Sequence, residues 1–299
     1  MTEPPNNDAE LPLLPNEPRV LDRARQLHLT ESFLTPALAE IEALMRRMRA
    51  RLDPVLARAQ PSKWGKPYPL GQCLEITRAV KHDLARLNPA SLSGAAAQGH
   101  AALAAFLRHG GQMHQVWGDL RGEYFQNAFL SGTLYIDVAN DTVDPAKPPV
   151  EMLPLAESGL QPISDYHHYA QVARRYWQAQ LHPNHLLPDL APYYPFIAVI
   201  PNGGIRLEAD SGYMVLLAHR QRFQSSAEIL GQAAMDRALF ERLKRALIDQ
   251  DMTLAVSAEQ GRALALAACQ AKAQAGPLAD SDRATLGARI AGVNSCWAS

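Results

Sequence analysis

Three short segments between residues 112 and 139 constrain the fold more than any other part of the sequence. They read "QMHQVWGDL", "EYFQNAFL" and "GTLYIDVA", and they are rich in aromatic and β-branched residues. Arg121-Gly122 and Ser131-Gly132 separate them, and short connections that contain glycine are typical of hairpins. The segments therefore predict an antiparallel meander.

Helical patterns precede and follow the meander. "TESFLTPALAEIEALMRRMRARLDPVLARA" has apolar residues at helical spacing, with Pro36 in the first turn and Pro54 expected to disrupt the end. Its basic part, "MRRMRARL", predicts a solvated helix face. Two further helices are predicted, one over residues 72–87 and one over "SLSGAAAQGHAALAAFLRHGG", where paired glycines end the pattern.

The second half of the chain contains both types of element. Residues 140–163 are predicted to be a proline-rich loop, and "DYHHYAQVARRYWQAQL" a helix that begins behind a Ser164 or Asp165 cap. "PFIAVIP", "IRLE" and "GYMVLLAHRQRF" predict strands near 195–220 that could extend the meander, and helices follow from about residue 224. Because the strands arrive as hairpin neighbours and not as alternating βαβ units, the fold class is α+β.

The chain of 299 residues is long enough for one large domain or two modest ones. We expect a flexible proline-rich leader over residues 1–18 and an α+β domain of catalytic type over residues 19–223. Residues 224–299 form a predicted helical segment, either separate or part of that domain. No internal repeat is present.

Charge and cysteine content exclude several classes of protein. The 29 basic and 30 acidic residues nearly balance, so overall electrostatic binding to nucleic acid or to an anionic membrane is not favoured. The N-terminus lacks the pattern of a signal peptide, and no run of about 18 apolar residues occurs. Three cysteines without a CxxC pair favour a reducing compartment. We therefore expect a cytoplasmic protein with neither a nucleic-acid nor a membrane partner.

The stretch "YPLGQCLEITRAVKHDLARL" places Cys73 where a helix begins. The helix dipole stabilises a thiolate there, although a small buried residue that only packs explains the same position. A thiol nucleophile needs a base and an orienting group. His114 in the first strand and Asp137 at the end of the third could share one face of the meander. We therefore predict a triad in which Cys73 attacks a carbonyl carbon, His114 transfers the proton and Asp137 orients the imidazole.

An oxyanion site would complete this arrangement. The backbone N–H of Cys73 is one donor, and Gln72 or Trp64 is the candidate for the second. Asp141 is an alternative orienting group for the imidazole. Taken alone, His114 and Asp137 are more often structural residues, so the three catalytic candidates support the hypothesis only together. The polar residues Gln126, Asn127, Asn140, Asp141 and Thr142 are best explained as turn residues.

These motifs resemble the transglutaminase-like cysteine enzyme superfamily. Gly71-Gln72-Cys73 is similar to its nucleophile motif, and "HQVW" from His114 is similar to its His-x-Trp strand, with one extra residue. "LYID", which ends at Asp137, resembles the strand with the catalytic Asp, but "DVANDTVD" replaces the usual Asp-Pro run. The resemblance covers residues 60–145, about a third of the chain. It implies a papain-like core and hydrolysis, transamidation or acyl transfer on a peptide, amide or acyl substrate.

Other chemistry-bearing residues predict no further site. "NSCWAS" around Cys296 is superficially similar to a papain-like motif, but the chain stops three residues after the cysteine, and Cys269 fits a helix core. "HPNH" at 182–185 lacks a third ligand, so neither a metal nor a cofactor is predicted. Two other functions remain open: a non-catalytic interaction or assembly protein on the same fold, and a biosynthetic enzyme with an unrecognised cofactor site. The sequence does not predict the oligomeric state.

Overall fold

The computed structural model describes residues 11–201, 204–207, 212–250, 252–276 and 278–298. The chain divides into two compact units, residues 1–162 and residues 163–299. The sequence predicted the division at residue 223, because the strands near residue 200 were expected to join the meander. They pair with one another instead, so the boundary lies earlier in the chain.

The first unit combines three long helices with a five-stranded sheet. Its α-helices are α1 (Arg23–Leu29), α2 (Leu38–Ala59), α3 (Cys73–Ala85), α4 (Gly94–Arg108) and α5 (Leu155–Ser158). Its strands are β1 (Ser62–Lys63), β2 (Lys66–Pro67), β3 (Met113–Leu120), β4 (Tyr124–Ser131), β5 (Leu134–Asp137), β6 (Glu151–Pro154) and β7 (Leu160–Gln161). A π-helical turn covers Thr30–Leu34, and 3-10 turns cover Thr35–Ala37, Pro89–Ser91 and Asn140–Thr142.

The main sheet is antiparallel and has the order β6-β5-β4-β3-β7. The predicted meander is confirmed as β3, β4 and β5, and the α+β fold class is confirmed with it. The prediction of a loop over residues 140–163 is wrong. β6 and β7 pair along the two sides of the meander, and prolines at strand ends hid these short edge strands from a composition-based prediction.

Helices α2, α3 and α4 enclose one face of this sheet around a cluster that includes Ile41, Leu44 and Phe129. Val116, Leu130 and other residues form a second cluster. The helix predicted from residue 72 is confirmed as α3. Pro54 lies inside α2, which continues to Ala59, so the predicted disruption is wrong. Proline removes one helical hydrogen bond, while its fixed φ remains compatible with the helix.

Part of the predicted leader packs against the first unit. Leu14 and Glu17 are buried, and the Trp117 N–H donates to the Asn16 carbonyl at 2.7 Å. The prediction of a flexible segment is therefore wrong for residues 11–18, because an apolar side chain and backbone hydrogen bonds fix them. Residues 1–10 of the predicted leader lie outside the described residues.

The second unit has a small sheet and six helices in the part that the structure describes. They are α6 (Tyr166–Tyr176), α7 (Tyr213–Arg220), α8 (Gln224–Leu230), α9 (Arg237–Ala246), α10 (Ala258–Gln274) and α11 (Asp280–Ala298). The strands are β8 (Gln180–Pro183), β9 (Phe196–Ile200) and β10 (Gly204–Leu207), in the order β10-β9-β8. None of the described helices in either unit has the length and apolarity that crossing a membrane requires.

Two predictions for the second unit had opposite outcomes. The Asp165 cap is confirmed, because its Oδ1 accepts from the His168 N–H at 2.8 Å. "GYMVLLAHRQRF" was predicted to be a strand, but it contains α7. A short apolar run fits either element, and here Tyr213, Met214 and Leu217 are buried with the spacing of one helix face.

Candidate functional site

Cys73 is the first residue of α3, and its side chain is only 8% exposed. The helix forms over an amphipathic segment whose Ile76, Thr77 and Val80 are buried. Thr77 also ties the helix to the sheet, because its Oγ1 donates to the Asn127 carbonyl at 3.1 Å. The thiol therefore lies between α3 and β4, within the apolar cluster of the first unit.

The polar neighbour of the Cys73 sulfur is an amide. Asn127 Nδ2 donates to Sγ at 3.6 Å, and Sγ lies 3.9 Å from the Phe125 carbonyl oxygen. Gln115 Nε2 in turn donates to Asn127 Oδ1 at 3.0 Å. A side-chain amide does not take up a proton at neutral pH. The residue that contacts the sulfur therefore cannot serve as a general base.

Burial also suppresses the thiolate. It raises the pKa of the Cys73 thiol above its ordinary value, and this effect exceeds the opposing hydrogen bonds of Asn127 and the attraction of Lys63. Lys63 is itself paired with Glu75 at 2.7 Å, which reduces its electrostatic effect on the sulfur. The helix start alone does not make this cysteine acidic.

His114 does not hydrogen-bond to Cys73 in the described structure. Gln115 pairs with Phe129, and Trp117 with Asn127, so these side chains share the face that meets α3. Successive residues of a strand point to opposite faces, which assigns His114 to the other face. Burial lowers the pKa of His114, although a hydrogen bond with the Glu17 backbone opposes this. No described residue hydrogen-bonds to its Nε2.

Asp137 is fully buried and has its own partners. It accepts hydrogen bonds from Gln126 Nε2 at 2.7 Å, from the Tyr135 hydroxyl at 2.9 Å and from the Ala139 N–H at 2.7 Å. Burial outweighs these donors and raises its pKa to about 6. Because β4 lies between β3 and β5, His114 and Asp137 are not on neighbouring strands as predicted. Asp137 instead fixes the end of β5 to the backbone that follows.

The other predicted site residues are also engaged elsewhere. Gln72 is buried, and its Nε2 donates to the Gln60 carbonyl at 3.0 Å. Trp64 lies in a turn with φ 54°, where Lys63 Nζ is 4.9 Å from its ring centroid. Asp141 binds a guanidinium group and not an imidazole: Arg49 donates to its two oxygens at 3.0 and 2.9 Å.

Arg49 is the centre of a buried ionic cluster in the first unit. It is 1% exposed, so the prediction that "MRRMRARL" is a solvated face is wrong at this position. Its guanidinium also donates to Asp53 at 2.9 Å and to the Val138 carbonyl. Burial lowers its pKa, but the hydrogen bonds to Asp141 and Asp53 outweigh burial and hold the guanidinium charged. The cluster joins α2 to the segment that follows β5.

A pocket of about 250 Å³ opens between α3, α4 and the beginning of β3. Its wall is mainly apolar and includes Leu84, Leu103 and Phe129, while Lys81, His100 and His114 are the titratable residues that line it. Periodicity within any one segment could not predict this pocket, because three elements contribute to its wall. It is a concave site separate from the thiol, and Gln115 links the two through Asn127.

The remaining cysteine and histidine candidates are structural where they are described. Burial raises the pKa of Cys269 to about 12. In the "HPNH" segment, Asn184 Nδ2 donates to the Tyr194 carbonyl at 3.0 Å, and His185 Nε2 lies 2.9 Å from the Leu230 carbonyl. Among the residues that the structure describes, no group of three or more His, Cys, Asp or Glu side chains could hold a metal ion.

Comparison with known proteins adds no relative: no protein-family model, curated protein or solved structure matches this chain. The site is therefore interpreted from its own geometry. That geometry joins Cys73 to Asn127 and Gln115, and it gives His114 and Asp137 separate surroundings.

Proposed function

We propose that the first unit is a non-catalytic binding module, whose fold resembles that of the transglutaminase-like enzymes over residues 60–145. The observation that carries the proposal is the Asn127 amide at the Cys73 sulfur. A thiol enzyme needs a base there, and an amide supplies only a hydrogen bond. Cys73 then has a packing role at the start of α3, where a small polarizable side chain fills the junction with β4.

The pocket between α3, α4 and β3 supports the binding part of this proposal. Ligand sites are typically concave, mainly apolar and supplied with a few polar groups. The pocket has this character, with Leu103 and Phe129 in its wall and Lys81 and His100 among its lining residues. Binding at this position needs no reaction at Cys73.

A cysteine-dependent acyl or amide transferase or hydrolase is the second candidate. Cys73 begins a helix of 13 residues, and the dipole of such a helix favours a thiolate at its first turn. For this function, the Asn127 side chain would have to move so that a base could reach the sulfur. The binding module requires no such rearrangement, and for this reason we prefer it.

Ligand-observed NMR with a fragment library tests the proposal directly. We expect fragments that bind the wild-type protein to bind Cys73→Ala equally well and to lose binding in Ala104→Phe, which places a ring inside the pocket. Ala101→Phe, on an exposed position of the same helix, is the matched control. Fragments that require Cys73 and ignore Ala104→Phe would favour the thiol enzyme.

A further inference from the structure

The wall of the pocket fixes the character of the ligand body. Leu84, Leu103, Leu107, Met113 and Phe129 supply apolar surface from two helices and two strands. Leu103 and Phe129 are buried, whereas Leu107 is 46% exposed, although it is a large apolar residue. An apolar residue left open beside a pocket gains free energy when a ligand covers it. The body of the ligand is therefore apolar.

The charged and polar groups fix the character of its head. Lys81 is exposed on α3 and His100 is half-buried on α4, and both line the same pocket. His114 is the third titratable residue of the wall, and the described residues that line the pocket include neither aspartate nor glutamate. A cation without a competing carboxylate attracts an anionic head group.

The volume limits the size of the ligand. A dry apolar cavity of roughly 150 Å³ is large enough for benzene. A pocket of about 250 Å³ therefore admits a somewhat larger ring or a short alkyl chain together with its head group. A long lipid chain or a folded domain would extend far outside it.

We propose that the pocket formed by α3, α4 and the start of β3 binds a small carboxylate with an apolar body, such as a medium-chain fatty acid or an aryl acid, with its carboxylate at Lys81. This inference rests on the proposed binding function and names its ligand class. The apolar body lies against Leu103 and Phe129, and the head group remains near the surface, where Lys81 keeps its ammonium hydrated. No covalent step and no change at Cys73 is involved.

Isothermal titration with three matched probes tests this ligand class: octanoate, octanol and octylamine have the same chain and differ in the head group. We expect octanoate to bind about tenfold or more tighter than octanol, which is the usual gain from a charge-assisted contact. Octylamine should bind weakest, because Lys81 repels it. Lys81→Glu should weaken octanoate by at least about tenfold, whereas Lys66→Glu, an exposed lysine outside the pocket, should leave binding unchanged.

Each outcome decides between the ligand class and the binding site. If octanol and octylamine bind as tightly as octanoate, the anionic head group is wrong while the pocket stands as a binding site. If none of the three probes binds but library fragments are still displaced by Ala104→Phe, the ligand class is overturned alone. If neither fragments nor probes bind, the binding function fails as well. Because Lys81 is exposed, its substitution tests the inference even where Ala104→Phe disturbs folding.

Discussion

Arg49→Met should destabilise the first unit far more than a comparable substitution on the surface of the same helix. Arg49 is 1% exposed in its side chain, and its ion pairs with Asp53 and Asp141 measure 2.9 Å each. Removing one partner of a buried ion pair leaves the other charges uncompensated and costs about 3–5 kcal/mol. For a unit of this size, such a loss lowers the melting temperature by roughly 6–20 °C.

Arg46→Met is the matched control, because Arg46 lies one turn away on α2. It pairs with Glu42 at 2.7 Å, but these side chains are 45% and 40% exposed. An exposed pair at this helical spacing contributes about 0.3–0.5 kcal/mol. Thermal unfolding followed by circular dichroism, with hydrogen exchange to localise the change, measures both variants. Equal losses in the two variants would refute the assignment of Arg49 as the buried anchor.

Three further predictions concern other parts of the chain. Gly99→Ala should destabilise the protein by about 1–3 kcal/mol in urea unfolding, because the new Cβ would lie 2.2 Å from the Glu40 carbonyl oxygen, whereas Gly287→Ala, with open space around it, should be neutral or stabilising. Asp137→Asn should remove a pH dependence: the pKa of about 6 lies above the ordinary carboxyl value, so the wild type alone loses stability as pH rises from 4 to 7, by on the order of 3 kcal/mol, and parallel curves would contradict this. Asp165→Ala should cost about 0.5–2 kcal/mol through loss of the α6 cap, and unchanged exchange of the α6 amides would contradict that role.

Local patterns predicted the elements that depend on local physics. The meander follows from its glycine turns and alternating apolar residues, and α3 from its amphipathic spacing. The Asp165 cap follows from a side chain that satisfies a nearby N–H. The strand predicted over α7 failed, because an apolar run of that length is compatible with both elements.

The candidate site was harder to predict, because it depends on which face of each strand meets a helix. A shift of one residue in register exchanges the two faces, so His114 and Asn127 could not be assigned without the pairing of β3 with β4. One signal was present in the sequence. Gln126 and Asn127 interrupt an otherwise apolar strand, and buried polar residues there need partners on both faces, which the structure supplies as Asp137 and Cys73. The burial of Arg49 left no comparable signal, since its neighbours in the basic run are solvated.

The reactivity of Cys73 tests the central claim most directly. Iodoacetamide labelling of the native protein, resolved by peptide mass spectrometry, compares Cys73 with half-buried Cys296 across pH. Because burial and an amide neighbour disfavour the thiolate, we expect Cys73 to react at least about tenfold more slowly than Cys296 at pH 7 and to accelerate only above the usual thiol pKa of about 8.5. Labelling of Cys73 that is faster than that of Cys296, with a midpoint below pH 7, would contradict the binding module and establish an activated thiol.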